Sequence, residues 1–237
     1  MINVDRIYQR VLTLANKEQR GYITPQEFNI LANQAQMDIF EQYFYDLNQF
    51  RRTPGNDTVH ADMVDILEEK ISVFEVTIPL TLATNVEGFS SGNLNGLPRF
   101  YRLSNVRSGN IIMESVSRKD FRMFPNSPLT TPTAIRPIYM VDTINNIIQI
   151  AGDLLLTTAD IDYIRSPRQV NWTYVVTQNK ALFNGTAIDR QDFDLHPSDE
   201  PELVMKILSL AGFTLKDQSL YQIASGEDGK NIQQEKQ

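Results

Sequence analysis

Three side chains that commonly bind metal ions alternate in the C-terminal third of the chain. Asp192, Asp194 and His196 occur in the sequence DFDLH, and alternate residues of a β-strand point to the same face of a sheet. On a strand, the two carboxylates and the imidazole would form three candidate ligands for a divalent cation. The alternative is a solvated strand end that leads into a capped helix, with His196 next to Pro197. The sequence indicates no further ligand, so we assign no metal site here.

Residues 16–28 imitate the calcium-binding loop of an EF-hand. The glycine, hydrophobe and bidentate glutamate of such a loop correspond to Gly21, Ile23 and Glu27, and other ligand positions to Asn16, Glu18, Arg20 and Thr24. Arg20 argues against calcium, because a guanidinium stays protonated and offers no lone pair. The same residues also fit a helix end, a turn at Gly21 and a new helix. Thr24 would cap that helix, Pro25 would take its first position and Glu27 would complete a capping box. We favour the helix end, turn and helix start, with a calcium-regulated binding module as an alternative.

The composition excludes many kinds of catalytic site. The chain has no cysteine and two histidines, His60 and His196, which rules out disulfides, cysteine nucleophiles and thiolate zinc sites. The stretch Gly88-Phe89-Ser90-Ser91-Gly92 matches the letters of a G-x-S-x-G motif but lacks the strand-to-helix context of a nucleophile elbow. The sequence contains no P-loop and no dinucleotide fingerprint. A Ser/His/Asp arrangement stays possible, since such residues meet only in the folded chain. We predict a protein that is not an enzyme and needs no cofactor.

The charge distribution bears on possible partners. The formal net charge is −7, which disfavours nucleic-acid binding through a broad basic face. An acidic protein can still surround DNA without gripping it, because repulsion keeps the duplex mobile. Arg165 and Arg168, in the sequence YIRSPRQ, form a small basic spot that could contact an acidic partner. Surface solubility is the alternative explanation for that spot.

Helical periodicity predicts an N-terminal helical region over residues 1–71. A first helix ends near residues 16–19, a second runs over residues 25–48, and a third covers residues 63–71 with Met63, Ile66 and Leu67 on its apolar side. Met37, Phe40 and Tyr45 lie off the apolar stripe of the second helix. We expect these three residues to be covered by the rest of the fold or by a neighbouring chain.

The middle of the chain, residues 72–195, has the pattern of a mostly antiparallel β domain with proline-rich loops. Predicted strands cover residues 73–82, 100–103, 111–116, 138–143, 147–151 and 161–164. Asparagine-rich residues 144–146 indicate a hairpin turn. We predict a flexible excursion at residues 87–98, which contain three glycines, and an irregular wrap at residues 120–137, which contain four prolines.

Helical periodicity returns over residues 196–237. The pattern predicts one helix over residues 196–212, ended by Gly212, and another over residues 216–225, followed by a polar tail. Overall the fold class is α+β, with an N-terminal helical hairpin, a central β domain and C-terminal helices. No segment has the length of apolar sequence needed to cross a bilayer, and the start MINVDRIYQR lacks the apolar core of a signal peptide. We therefore expect a soluble protein made in a cytoplasm.

Three blocks of sequence carry a resemblance to a known family. They are NKEQRGYITPQEFNILANQAQMDIFEQYFYDLNQ at residues 16–49, DYIRSPRQVNW at residues 162–172 and DLHPSDEPELVMKILSLAGFTLKD at residues 194–217. These blocks resemble the head-to-tail connector or ring proteins of short-tailed bacteriophages, in particular crAss-like phages of gut Bacteroidales. The resemblance covers nearly the whole chain in the same order, and its blocks are structural rather than catalytic.

The resemblance implies a structural virion protein that forms a ring in the phage neck. Such rings commonly contain twelve copies, lie beneath the portal and continue the DNA channel towards the tail. The implied partners are further copies of the chain, the portal protein, neighbouring neck or tail proteins, and viral DNA that passes without specific binding. The implied location is the virion, after synthesis in the bacterial host cytoplasm. A virion-associated enzyme such as a peptidoglycan hydrolase, or another tail or neck component, is the alternative.

Overall fold

The computed structural model describes residues 1–17, 23–52, 58–84, 89–152, 156–178 and 180–214. Helices precede and follow a central run of short, mainly antiparallel strands, which confirms the predicted α+β class. The chain divides into two compact units, one formed by Met1–Val73 with Pro167–Gln237 and the other by Phe74–Ser166. The division predicted from sequence, at residues 1–71, 72–195 and 196–237, follows chain order. The compact units instead place the segment after Ser166 with the helices.

Five α-helices occur among the described residues. In chain order they are α1 (Val4–Lys17), α2 (Pro25–Arg52), α3 (Thr58–Ser72), α4 (Arg118–Met123) and α5 (Glu200–Thr214). All except α4 belong to the first unit. Their predicted apolar stripes are buried, with Val4, Ile7, Tyr8, Val11 and Ala15 on α1, Phe28, Ala32, Ala35, Ile39 and Tyr43 on α2, and Leu203, Val204, Ile207, Leu208 and Ala211 on α5. Each larger aliphatic side chain buried in this way contributes roughly 1.5–3 kcal/mol as an upper estimate.

Helix α3 is longer than predicted and buries a different face. Leu67 and Ile71, four residues apart, are buried, whereas Ile66 is 46% exposed. Successive helical residues point about 100° apart, and in α3 this step places Ile66 outside the buried face that carries Leu67 and Ile71. The prediction that placed Ile66 on the apolar side was therefore wrong.

Helix α2 begins with the predicted capping box. The Thr24 N–H and hydroxyl donate to Glu27 Oε2 at 2.9 and 2.8 Å, and the Glu27 N–H donates to Thr24 Oγ1 at 3.3 Å. Pro25 takes the first helical position, where its missing N–H costs no helical hydrogen bond. The predicted capped start of the second helix is thus confirmed at the C-terminal end of residues 16–28. Residues 18–22, including Arg20 and Gly21, lie outside the described residues.

The single tryptophan packs between α1 and a two-stranded ribbon of the first unit. Trp172 is buried, its ring centroid lies 4.3 Å from that of Tyr8, and its Nε1 donates to Asp5 at 2.9 Å. Strands β10 (Tyr174–Thr177) and β11 (Lys180–Phe183) form a two-stranded antiparallel ribbon in the same unit. Tyr174 and Phe183 are directly opposed in this ribbon, and both rings stack on Trp172. Two strands alone are marginal in water, so this stacking anchors the ribbon.

The second unit contains two sheets. Its strands are β1 (Glu75–Thr81), β2 (Ala83–Thr84), β3 (Ser90–Asn93), β4 (Phe100–Ser108), β5 (Ile111–Ile112), β6 (Glu114–Ser115), β7 (Ile138–Asp142), β8 (Ile147–Ala151) and β9 (Thr158–Arg165). One sheet has the order β1-β9-β4-β5, and the other has the order β2-β3-β8-β7-β6. Every pairing is antiparallel except β6 with β7.

The predicted hairpin of this unit is confirmed. Strands β7 and β8 pair in antiparallel register with Asp142 opposite Ile147. Asn146 has a φ of 51°, the left-handed conformation that asparagine tolerates. The Ile144 N–H donates to Asp142 at 3.1 Å, and the Asn145 side chain donates to the same carboxylate at 2.9 Å. These bonds hold the turn, and the bond from Asn145 is the main cause of a lowered Asp142 pKa.

Two segments predicted to be irregular contain regular structure. Strand β3 and a short 3-10 helix, Leu94–Gly96, fall within residues 87–98. A Cβ at Gly92 would lie 2.4 Å from a methyl carbon of Leu80, so this glycine permits close packing. Within residues 120–137, α4 continues to Met123 and a second 3-10 helix covers Phe124–Asn126. Gly92 and Gly96 therefore lie in regular elements, whereas residues 127–137 are irregular as predicted, and residues 87–88 lie outside the described residues.

The C-terminal helix also departs from its prediction. It begins with a 3-10 turn at Pro197–Asp199 and continues through Gly212 to Thr214, so Gly212 does not end it. The predicted helix over residues 216–225 and the polar tail lie outside the described residues. No helix in the described part of the chain combines the length and apolar character needed to span a membrane.

Candidate functional site

Three amide side chains of α2 form a ladder against an extended segment of the same unit. We call Asn29, Asn33 and Gln36 the amide ladder. Asn33 Oδ1 accepts from the Val170 N–H at 2.7 Å, and its Nδ2 donates to the Val170 carbonyl at 2.9 Å. Asn29 binds the Trp172 main chain in the same way, at 2.8 and 3.3 Å. An amide side chain has one acceptor and one donor group. Each asparagine therefore replaces a β-strand partner for one residue.

The ladder forms because the spacing of its side chains along α2 is close to the spacing of alternate residues in an extended chain. Its members are four and three residues apart, so they share one face of α2 and advance about 6 and 4.5 Å along the helix axis. The partners Trp172, Val170 and Arg168 are two residues apart, which is about 6.6 Å in an extended chain. Gln36, with its longer side chain, completes the set by donating to the Arg168 carbonyl at 2.7 Å. Helix α2 therefore pairs with residues 168–172 in antiparallel order.

A buried ion pair continues from the third member of the ladder. Gln36 Oε1 accepts from the Asp194 N–H at 3.0 Å. The Asp194 carboxylate is fully buried and accepts from Arg168 Nη2 at 2.6 Å, from Arg168 Nε at 3.0 Å and from the Arg168 N–H at 2.9 Å. The side-chain hydrogen bond to Asp194 is the main cause of a raised Arg168 pKa. Arg168 thus ties two distant segments together.

The three candidate metal ligands are engaged by protein groups. Asp194 holds Arg168, while Asp192 accepts from the Val4 N–H at 3.0 Å and from Arg190 Nη2 at 2.6 Å. His196 Nδ1 accepts from the Ser198 N–H at 3.3 Å and caps the 3-10 turn. Residues 192, 194 and 196 do not form one regular strand, because only isolated bridges occur there. Within the described ranges, no group of three or more histidine, cysteine, aspartate or glutamate residues is placed to hold a metal.

A serine, a histidine and an aspartate do meet at the start of α5. The Ser198 hydroxyl lies 2.8 Å from His196 Nδ1 and 3.2 Å from Asp199 Oδ1. In a nucleophilic triad, the carboxylate orients the histidine. Here Asp199 is buried, accepts a hydrogen bond from the Tyr43 hydroxyl, and pairs with Lys70 Nζ at 2.8 Å. Asp199 therefore fastens this helix start to α2 and α3, and its contacts are with Tyr43, Lys70 and Ser198, whereas the carboxylate of a triad contacts the histidine.

The residues predicted to make interactions on α2 have different environments. Phe40 is fully buried, and its ring packs edge-on against Phe44 with the centroids 5.1 Å apart. Of the two kinds of cover expected for Phe40, the rest of the fold provides it. Met37 is half-buried and Tyr45 is 64% exposed. Arg165 is half-buried at the end of β9 in the other unit.

An apolar groove lies between α1 and α5 of the first unit. It has a volume of about 490 Å³ and is lined by Gln9, Arg10, Thr13, Leu14, Pro201, Val204 and Met205. Arg10 pairs with Glu200 at 2.6 Å, and Arg6 pairs with the same carboxylate at 3.0 Å. The groove therefore has apolar walls and a charged group of side chains nearby. Sequence analysis did not predict it, because it requires two helices that are far apart in the chain.

The amide ladder was also missed. The spacing of its residues, four and three, places them on one helix face, which is the signal the sequence offers. The chain matches no protein-family profile and no curated protein sequence. Its resemblance to phage connector proteins therefore stays a hypothesis.

Proposed function

We propose that this chain is a structural protein of the bacteriophage head-to-tail connector. In this role, copies of the chain form a ring beneath the portal and continue the DNA channel towards the tail. The observation that carries the proposal is where the three resembling sequence blocks lie in the fold. The amide ladder comes from the first block, residues 168–172 end the second, and Asp194 begins the third. The shared blocks thus meet at one hydrogen-bonded junction.

The chemistry of this junction supports a structural role. Asn29, Asn33 and Gln36 use both amide atoms on main-chain or side-chain partners within the unit. Arg168 and Asp194 neutralise each other. Bonds of this kind hold the segments of the unit in a rigid scaffold. A rigid scaffold suits a ring whose subunits must keep their shape while DNA passes.

Exposed apolar residues supply surface for contact between copies. On the ribbon, Val175 and Leu182 are directly opposed and are 52% and 54% exposed. Large exposed apolar side chains that cluster in this way are typical of protein interfaces. Contacts between different surfaces of identical subunits generate closed rings when the rotation closes. The net charge of −7 suits a channel that repels DNA and so lets it slide.

The assembly state tests this function. Purified protein and neck complexes isolated from virions are examined by mass photometry and electron microscopy. We expect cyclic assemblies, with twelve copies per ring in the virion as the resemblance implies. The double variant Val175→Asp/Leu182→Asp should weaken assembly in solution, whereas the matched variant Ile188→Asp, at a fully exposed residue outside the ribbon, should not. Monomers alone in intact particles would contradict the proposal.

A further inference from the structure

Within the described ranges, part of the apolar helix α5 is left uncovered at the groove between α1 and α5. Leu203, Val204, Ile207, Leu208 and Ala211 already form the buried stripe of α5. Pro201 and Met205 widen the apolar surface towards the groove, where Leu14 of α1 is 41% exposed. A helix that is apolar on more than one side is normally covered on each of them. The groove therefore needs an occupant that brings apolar side chains.

We propose that the groove binds residues 220–224 of the same chain, which have the sequence LYQIA. Leu220, Ile223 and Ala224 are spaced three and four residues apart, the pattern of an amphipathic helix that lies in an apolar groove. These residues follow α5, which itself forms one wall of the groove. This binding does not depend on ring formation or on the phage assignment.

The length of the connecting chain permits this binding. Met205 and Thr214 are nine residues apart on α5, which corresponds to about 14 Å along the helix axis. Residues 215–219 would have to lead back over that distance. Five extended residues span up to about 17 Å. The segment can thus reach the groove of its own subunit, and a longer connection or a second copy is not required.

Charge around the groove favours the same segment. Two guanidinium groups, from Arg6 and Arg10, share the single carboxylate of Glu200 at the α5 end of the groove. Glu227 and Asp228 follow the apolar residues of the proposed ligand segment. Opposite charges would therefore lie near each other once Ile223 enters the groove. Surface attractions of this kind add little affinity, but they disfavour the reverse orientation.

Engineered disulfides test the proposal, because the full-length chain contains no cysteine that could interfere. The test variant is Met205→Cys/Ile223→Cys, and the matched control is Ile188→Cys/Ile223→Cys. Ile188 is fully exposed and does not line the groove. Both are oxidised at high dilution, and free thiols and intact mass are measured. A disulfide requires Cα atoms within about 7 Å, so we expect loss of both thiols in monomers of the test variant only.

The other outcomes overturn the proposal in distinct ways. Equal thiol loss in both variants, or none in either, would mean that residues 220–224 do not occupy the groove. Disulfide-linked dimers or ladders of the test variant would mean that the segment comes from a second copy. If Met205→Cys prevents folding, Thr13→Cys/Leu220→Cys replaces it, since Thr13 lines the groove at an exposed position of α1. The same results are then expected.

Discussion

Asn33 of α2 binds both main-chain polar groups of Val170, a residue that is 137 positions away in sequence. The Val170 N–H donates to Asn33 Oδ1 at 2.7 Å, and Asn33 Nδ2 donates to the Val170 carbonyl at 2.9 Å. Val170 is buried, and buried main-chain groups must find partners. The Asn33 side chain thus makes the two main-chain hydrogen bonds that a neighbouring strand would make in a β-sheet.

Replacing this amide should destabilise the first unit. Asn33→Leu would leave the N–H and the carbonyl of Val170 without these partners. A buried group that loses its hydrogen bond costs about 1–3 kcal/mol, so we expect a loss of roughly 2–5 kcal/mol. Urea unfolding followed by Trp172 fluorescence measures it, because the only tryptophan lies in this unit. The control Gln34→Leu, at an exposed position on the same helix, should change stability by less than about 0.5 kcal/mol. Equal losses in both variants would contradict the ladder.

The ion pair between Arg168 and Asp194 should show strong coupling. Arg168→Met leaves a buried carboxylate without its cationic partner. Because the Arg168 side chain is itself 35% exposed, we expect a loss below the about 3–5 kcal/mol of a fully buried pair. Adding Asp194→Asn removes that charge, so the double variant should lose less than the sum of the single losses, by about 0.5–3 kcal/mol. Trp172 fluorescence in urea again measures the effect. Arg190→Met is the control, since its partner Asp192 is 23% exposed whereas Asp194 is fully buried, and a pair with a solvated carboxylate is worth about 0–1 kcal/mol. Additive losses at Arg168 and Asp194 would refute the coupling.

Local sequence patterns were sufficient to predict much of the fold. The stripes of α1, α2 and α5 follow a 3.6-residue period, and the hairpin of β7 and β8 follows from asparagines between two apolar runs. These features depend on neighbours in sequence. Strand β3 was mistaken for a flexible loop, because the close contact of its Gly92 with Leu80 depends on another strand. Tertiary packing therefore determines that this segment forms a strand.

The candidate sites were harder to predict for the same reason. The capped helix after Asp192, Asp194 and His196 was predicted correctly, but the solvated strand end was wrong, because Asp194 is fully buried. The partners of Asp192 and Asp194 include residues from other segments. Arg168 was expected to form a surface basic spot with Arg165. Its pairing with Asp194 was not predicted, because Asp194 is 26 residues away in sequence. The amide ladder and the groove also join residues from opposite ends of the chain. Sequence periodicity gives the direction of a side chain and does not identify what it meets.

Gly92 should be intolerant of a side chain. A Cβ at this position would lie 2.4 Å from a methyl carbon of Leu80 and 2.8 Å from one of Leu82. Both neighbours would have to move within a packed core, and such overpacking costs about 1–3 kcal/mol. Thermal unfolding of Gly92→Ala, followed by near-ultraviolet circular dichroism, should show that loss. Gly96→Ala is the matched control, because a Cβ there meets no atom within 4 Å. If both variants unfold alike, the close contact is not a constraint.

The capping box of α2 should make stability depend on pH. The pKa of Glu27 is lowered from 4.5, chiefly by the hydrogen bond from the Thr24 N–H and then by the bond from the Thr24 hydroxyl. Because the folded pKa lies below the unfolded value, the contribution is complete above about pH 4.5 and is lost as the pH falls through the folded pKa.

The variant Glu27→Gln isolates this contribution. Its amide oxygen can still accept from Thr24, but it does not titrate, so the variant should lose less stability than the wild type as the pH falls from about 6 to 3. Urea unfolding at a series of pH values, followed by Trp172 fluorescence, measures the difference in slope. Glu41→Gln, an exposed residue of the same helix, should retain the slope of the wild type. Identical slopes for Glu27→Gln and the wild type would show that the carboxylate does not hold the start of α2, and Thr24 alone would then be its cap.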